Sequence, residues 1–128
     1  MEVSQELHFD DSSGEPLFRQ VASQLNEAII SGVYQEGDQV PSTTEISTAY
    51  RINPATVLKG MNLLVDQGLL EKRRGLGMFV APGAVGRARG NAREAFMTDQ
   101  LPRFITEARR LGFGPKELSE LIERGFAS

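Results

Sequence analysis

Three short groups of side chains in the middle of this sequence could donate hydrogen bonds to a polyanion. They are three adjacent hydroxyls, a mostly small and polar set with one lysine, and a basic turn with two glycines: Ser42, Thr43 and Thr44; Asn53, Ala55, Thr56 and Lys59; Lys72, Arg73, Arg74, Gly75 and Gly77. Hydroxyls at a helix start favour phosphate, and lysine can donate to guanine O6 or N7. Glycines let a backbone approach closely. These residue types predict a DNA-binding surface.

The second group lies on a helix whose ends are both marked in the sequence. Asn53 is a preferred N-cap, and Pro54 suits the first helical position. Gly68 is typical of the residue that closes a helix. The predicted apolar back of this helix consists of Val57, Leu58, Met61, Leu64 and Val65. We therefore expect its polar first turns to face a partner.

A shorter helix should precede it. Ser42 and Glu45 have the spacing of a capping box, in which the hydroxyl bonds forward and the carboxylate reaches back. The helix would end near Tyr50, so only Arg51 and Ile52 separate it from the cap Asn53. This arrangement predicts a helix-turn-helix, preceded by a helix from Pro16 to about Ser31.

Two strand-like runs follow Gly68. Residues 69–73 and 78–81 flank Arg74-Gly75-Leu76-Gly77, which predicts a hairpin with a basic tip. The predicted fold class is therefore α+β, mostly α, with a winged helix-turn-helix over residues 1–81. Residues 1–15 would form an acidic arm within it. Residues 82–90 read as a linker or a poorly stabilised helix start.

Residues 82–128 also contain a helical tail with more apolar side chains than two short helices can bury. We predict that nine of them form a dimer interface: Phe96, Leu101, Phe104, Ile105, Ala108, Leu111, Leu118, Leu121 and Ile122. A two-fold dimer would also place two DNA-contacting helices about one turn (~34 Å) apart on a palindromic site.

The composition of the chain limits the classes of protein to which it could belong. The net charge is −3, but residues 1–16 carry five acids and no lysine or arginine, so the acidity is mostly that of the arm. The chain has no cysteine and a single histidine, His8, which excludes thiolate metal sites and argues against a histidine-based metal cluster or catalytic triad. No apolar run approaches the ~20 residues of a membrane span. We expect a cytoplasmic protein that is not an enzyme and has no cofactor.

Linked motifs over roughly residues 7–81 resemble the DNA-binding domain of GntR-type bacterial transcription regulators. They are Pro16-Leu17-Phe18-Arg19-Gln20, Ser31-Gly32, Gly37-Asp38-Gln39-Val40-Pro41-Ser42, Asn53-Pro54-Ala55-Thr56-Val57 and the run from Gly68 to Val80. The Asn-Pro-x-Thr-Val start and the short tail resemble the YtrA subfamily, which has only a small helical dimerisation region. Many family members have arginines at the positions of Thr44, Pro54 and Leu58, so the resemblance implies a different operator sequence.

The leading hypothesis is a homodimeric repressor that occludes a promoter by binding a palindromic operator. The alternative is a winged-helix module that binds protein instead of DNA. Several residues have a second interpretation: Ser42 and Asn53 could act only as caps, Lys59 could be an ordinary solvated lysine, and turn geometry alone could explain Gly75 and Gly77. The sequence leaves open whether a small-molecule effector exists.

Overall fold

The computed structural model describes residues 7–10, 12 and 14–128. The elements in this part of the chain are α1 (Leu17–Ile30), α2 (Thr43–Tyr50), α3 (Pro54–Asp66), β1 (Leu70–Arg73), β2 (Gly77–Val80), α4 (Ala84–Ala95), a π-helical turn (Phe96–Gln100), α5 (Leu101–Arg110) and α6 (Pro115–Ala127). The predicted α+β class, mostly α, with a winged helix-turn-helix order is confirmed. The chain divides into two compact units, Met1–Gly90 and Asn91–Ser128.

Helices α1 and α3 cross at very close range in the first unit. Val21 of α1 and Val57 and Met61 of α3 are completely buried in the core. A Cβ atom on Gly60 would lie only 2.5 Å from the carbonyl oxygen of Phe18 and 2.9 Å from Val21 Cβ. Glycine at this position therefore allows the two helix backbones to approach each other.

The helix-turn-helix is held by the caps that the sequence predicts. Ser42 Oγ accepts from the Glu45 backbone N–H at 3.0 Å, and the Glu45 carboxylate accepts from the Ser42 N–H at 3.1 Å. Asn53 Oδ1 accepts from the Ala55 N–H at 2.8 Å. Between the two helices, Arg51 takes a left-handed conformation with φ of 54°. The two caps fix where α2 and α3 begin, and the left-handed Arg51 marks the end of α2.

Helix α3 ends in a Schellman motif. Gly68 has φ of +75°. Its N–H donates to the Val65 carbonyl at 3.0 Å, and the Leu69 N–H donates to the Leu64 carbonyl at 2.9 Å. The chain leaves this turn directly into β1.

The hairpin is antiparallel, with a register that runs from Leu70 opposite Val80 to Arg73 opposite Gly77. Its tip is a three-residue loop, residues 74–76. Before α2, Gln39 pairs with Phe79 in a single antiparallel bridge. This bridge joins the base of the wing to the segment before α2.

Two glutamines of α1 hold the described part of the acidic arm. The Gln20 side chain accepts from the Asp10 N–H at 2.8 Å and donates to the Asp10 and Glu15 carbonyls at 2.9 and 2.8 Å. The Gln24 side chain exchanges hydrogen bonds with the backbone of His8. Residues 1–6, 11 and 13 of the predicted arm lie outside the described residues.

The segment expected as a linker or a poorly stabilised helix start is helical from Ala84. Helix α4 begins at Ala84, and Ala84 and Ala88 are completely buried in the core of the first unit. The Arg87 guanidinium donates to the Gly68 carbonyl at 2.6 and 3.1 Å and to the Pro82 carbonyl at 2.6 Å. Residues 82–90 thus pack with the winged domain because small side chains fit its core, and because one arginine donates to a carbonyl just after α3 and to another just before α4.

The second unit leaves most of its apolar side chains exposed. Pro102 cannot donate to a preceding carbonyl, and just before it the Leu101 N–H reaches five residues back to Phe96, which closes the π-helical turn. Seven of the nine predicted interface side chains are between 36% and 58% exposed: Phe96, Leu101, Phe104, Ile105, Leu111, Leu121 and Ile122. Leu118 is half-buried. Ala108 is only 5% exposed within its own chain, so it offers little area to a partner.

Candidate nucleic-acid interface

The three hydroxyls at the start of α2 have different surroundings. Ser42 uses its oxygen in the capping box, so its structural role is confirmed. The Thr43 hydroxyl lies 3.5 Å from the Met61 sulfur and points toward the core. Thr44 is exposed. Among the three, Thr44 is the hydroxyl best placed to reach an external phosphate.

The exposed face of α3 differs in part from the predicted face. Ala55 is exposed, whereas Thr56 is half-buried on the opposite side from Leu58. Lys59 places its Nζ atom 4.0 Å from the centre of the Phe18 ring of α1. Leu58, which was expected on the apolar back, is 38% exposed. The predicted stripe placed Leu58 inside because of its residue type, but its position on the helix is three residues after Ala55 and on the same face.

The two arginines of the wing are not equivalent. Arg73 Nε lies 3.0 Å from Glu71 Oε1, and the Arg73 guanidinium stacks 4.1 Å from the centre of the Phe79 ring. Arg74 is exposed and makes no ion pair with any other described residue. Lys72 is also exposed. The freely available cations of the wing are therefore Lys72 and Arg74.

The Gln39 side chain lies against Gly77 and was not among the predicted site residues. Gln39 Nε2 donates to the Leu76 carbonyl at 2.7 Å and so supports the tip of the wing. A Cβ atom on Gly77, which has φ of +124°, would lie 2.7 Å from the same Nε2 atom. No local pattern pointed to Gln39, since its contact spans 37 residues.

One groove joins α2, α3 and the wing. Its volume is about 310 Å³, and its lining consists of Ser42, Thr43, Thr44, Leu58, Lys72, Arg73, Gly75, Leu76, Gly77 and Met78. Seven residues of the predicted DNA-binding set therefore line one surface. The other five, Asn53, Ala55, Thr56, Lys59 and Arg74, lie outside the groove lining.

Within residues 7–10, 12 and 14–128, no cluster of three or more histidine, aspartate or glutamate side chains has a geometry that could hold a metal ion. Over the same residues, no helix combines the length and apolar character needed to cross a membrane.

Comparisons with known proteins agree with this architecture. The chain is 28% identical over 117 residues to the HTH-type transcriptional repressor YtrA of Bacillus subtilis (strain 168). The aligned region covers 91% of this chain and 89% of that protein. A structure described as a transcriptional regulator of the GntR family from Bacteroides thetaiotaomicron superposes with a TM-score of 0.73 and 26% identity, over 87% of this chain and 96% of that chain.

A third comparison concerns a protein solved with DNA. The structure of AraR(DBD) in complex with operator ORX1 matches with a TM-score of 0.54 and 28% identity, over 59% of this chain and 95% of that chain. Residues 17–80 match the model of the family described as bacterial regulatory proteins, gntR family. These residues include α1, the helix-turn-helix and the wing. The chain therefore belongs to the gntR family of bacterial regulatory proteins.

Proposed function

We propose that this chain is a transcriptional repressor that binds a palindromic DNA operator as a homodimer in the cytoplasm. The observation that carries the proposal is the groove in which α2, α3 and the wing meet. A helix-turn-helix places the first turns of its second helix in the major groove, while neighbouring elements contact the backbone. Thr44, Lys72 and Arg74 are exposed beside that helix or on the wing, as phosphate contacts require. The relative named YtrA is a repressor.

The exposed apolar side chains of the second unit support dimerisation. Leu101, Phe104, Ile105 and Ile122 line a common surface depression of about 450 Å³. Monomeric proteins rarely leave such continuous apolar surface exposed to water. A second copy would cover it through a two-fold interface, in which the same patch is used on both subunits. We therefore assign DNA binding to the first unit and dimerisation to the second.

The dimer would position two DNA-binding surfaces, one on each subunit. Two-fold symmetry places two copies of α3 about one helical turn (~34 Å) apart, which matches an inverted repeat in DNA. A dimer bound there would block access to a promoter. A signal that changed the separation of the two surfaces would weaken binding and release the promoter.

Selection of bound sequences from a random duplex pool tests this function. We expect enrichment of an inverted repeat whose half-site centres are about 10 base pairs apart, or a multiple of that distance. Failure to enrich any sequence, together with the absence of salt-dependent binding to random duplex DNA, would contradict the proposal. That result would favour the alternative of a winged-helix module that binds protein.

A further inference from the structure

Leu58 is the large apolar side chain that α3 exposes. All residues of α3 are described, and the other large apolar side chains of this helix are buried or half-buried. Leu58 follows Ala55 by three residues and precedes Asn62 by four, so the three side chains share the exposed face. An exposed leucine on the face that is predicted to contact DNA requires an explanation beyond core packing.

The surroundings of Leu58 indicate the chemistry of its partner. The groove that Leu58 lines is also lined by Thr44, Lys72 and Arg73. Cations and hydroxyls bind phosphate, which would hold a duplex over the groove. Leucine can neither donate nor accept a hydrogen bond, so it must contact an apolar part of the major groove. In that groove the apolar group presented by a base is the C5-methyl of thymine.

We propose that Leu58 contacts the C5-methyl group of one thymine in each operator half-site and thereby determines specificity at that base pair. The inference rests on the proposed function, because it requires that the first turns of α3 enter the major groove. Ala55 and Asn62 lie on the same face and leave room for this contact: Ala55 is small, and Asn62 can pair with an adjacent base edge.

Replacement of thymine by uracil tests the contact, since this change removes the methyl group and leaves all base-pair hydrogen bonds intact. The operator obtained by selection is prepared with each thymine replaced in turn by uracil, symmetrically in both half-sites. At one position we expect binding to fall about fourfold for each half-site, the factor that corresponds to one buried methyl group. Other uracil substitutions should have smaller effects.

Three variants identify the side chain responsible. Leu58→Ala should bind the thymine and uracil forms of that position equally, whereas Leu58→Met should keep the difference because it conserves volume. Leu76→Ala is the matched control, since Leu76 is also an exposed leucine that lines the groove but lies at the wing tip. It should retain the full preference for thymine. Thermal unfolding of each variant verifies the fold.

The outcomes separate the inference from the function on which it rests. A selected operator that contains no thymine in its half-site, or whose uracil forms all bind like the parent duplex, overturns the role of Leu58 and leaves the repressor function intact. A folded Leu58→Ala variant that still binds the thymine form more tightly than the uracil form also overturns the role of Leu58. A pool that yields no operator overturns both. The uracil scan uses the wild-type protein, so the test does not depend on the folding of any variant.

Discussion

The ammonium group of Lys59 is held in place before any DNA is bound. Its Nζ atom lies 4.0 Å from the centre of the Phe18 ring, a cation–π contact that restricts a flexible side chain. The contact keeps Lys59 at the edge of α3 that faces α1. From this edge the lysine can reach a base or a phosphate beside the groove.

We predict that Lys59→Ala lowers operator affinity by ~1–3 kcal/mol, as expected for the loss of one specific base contact. Phe18→Leu is the control, because it removes the ring but keeps the charge, and it should weaken binding less. Fluorescence anisotropy titrations of a labelled operator measure both effects. Wild-type affinity in Lys59→Ala would remove Lys59 from the DNA-binding set.

The wing arginines should differ in their contribution to salt dependence. Arg74 has no ion pair to give up, whereas Arg73 already pairs with Glu71 and stacks on Phe79. We predict that Arg74→Ala makes the slope of log K against log[salt] shallower by ~1, the value for one phosphate contact. Arg73→Ala should change the slope less.

Binding titrations over a series of salt concentrations measure these slopes. The Arg73→Ala and Arg74→Ala double variant should show the shallowest dependence of the set. Equal slopes in the wild type and in Arg74→Ala would show that the wing cation does not contact phosphate. A larger change in Arg73→Ala than in Arg74→Ala would show that DNA breaks the Glu71 pair.

The sequence alone predicted the roles of some site residues correctly and placed others on the wrong side of their element. The caps Ser42 and Asn53 were predictable because their partners lie two or three residues away. Leu58 was assigned to the core because leucine usually packs inside. The pairing of Arg73 with Glu71 could have been foreseen, since residues two apart on a strand share a face. Its stacking on Phe79 depends on the hairpin register, which the sequence does not give directly.

At the scale of elements, the crossing of α1 and α3 depends on the absence of a side chain. A Cβ atom on Gly60 would meet the Phe18 carbonyl oxygen at 2.5 Å, and a backbone atom cannot move aside without shifting α1. The position of α3 relative to α1 is therefore sensitive to a single methyl group.

We predict that Gly60→Ala destabilises the first unit by ~1–3 kcal/mol, because overpacking outweighs the gain in helix propensity. The matched control is Gly86→Ala in α4, where nothing lies within 4 Å of the new Cβ. That change should raise stability by up to ~1 kcal/mol. Urea unfolding followed by circular dichroism measures both. Stabilisation by Gly60→Ala would show that the helices can separate at no cost.

Helix α4 is an element that the local sequence pattern does not predict clearly. Gly86 and Gly90 lower its intrinsic helix propensity, and alanines give a weak apolar period, so the sequence could not distinguish a linker from a helix start over residues 82–90. The helix forms because Ala84 and Ala88 fill the core and Arg87 binds the end of α3. These are tertiary contacts, and they are not visible in a window of local sequence.

At the scale of the whole molecule, the exposed apolar surface of the second unit should determine the oligomeric state. We predict that the wild-type protein has twice the 14.1 kDa mass of one chain and that Ile105→Glu is monomeric, since a buried unpaired charge is costly. Thr106→Glu, which places the same charge on the next exposed residue of α5, should remain dimeric. Sedimentation equilibrium distinguishes these masses.

The same variants connect assembly to DNA binding. A monomeric Ile105→Glu should bind a single half-site weakly and lose the preference for an inverted repeat. A wild-type protein that is monomeric at all concentrations, or an Ile105→Glu variant that stays dimeric, would contradict the assignment of dimerisation to this surface. The fold class and the presence of an apolar tail were predictable from composition and period. Which side chains remain exposed was not, as Ala108 demonstrates.

Burial of Ala84 and Ala88 restricts how this chain could be recombined, in evolution or by design. A foreign segment joined at Pro82 would take both alanines out of the core and remove the guanidinium that binds the Gly68 carbonyl. A junction after Gly90 would keep all three. The first unit therefore ends at Gly90, inside α4, which continues to Ala95. We therefore expect the first unit and the first turns of α4 to be inherited together.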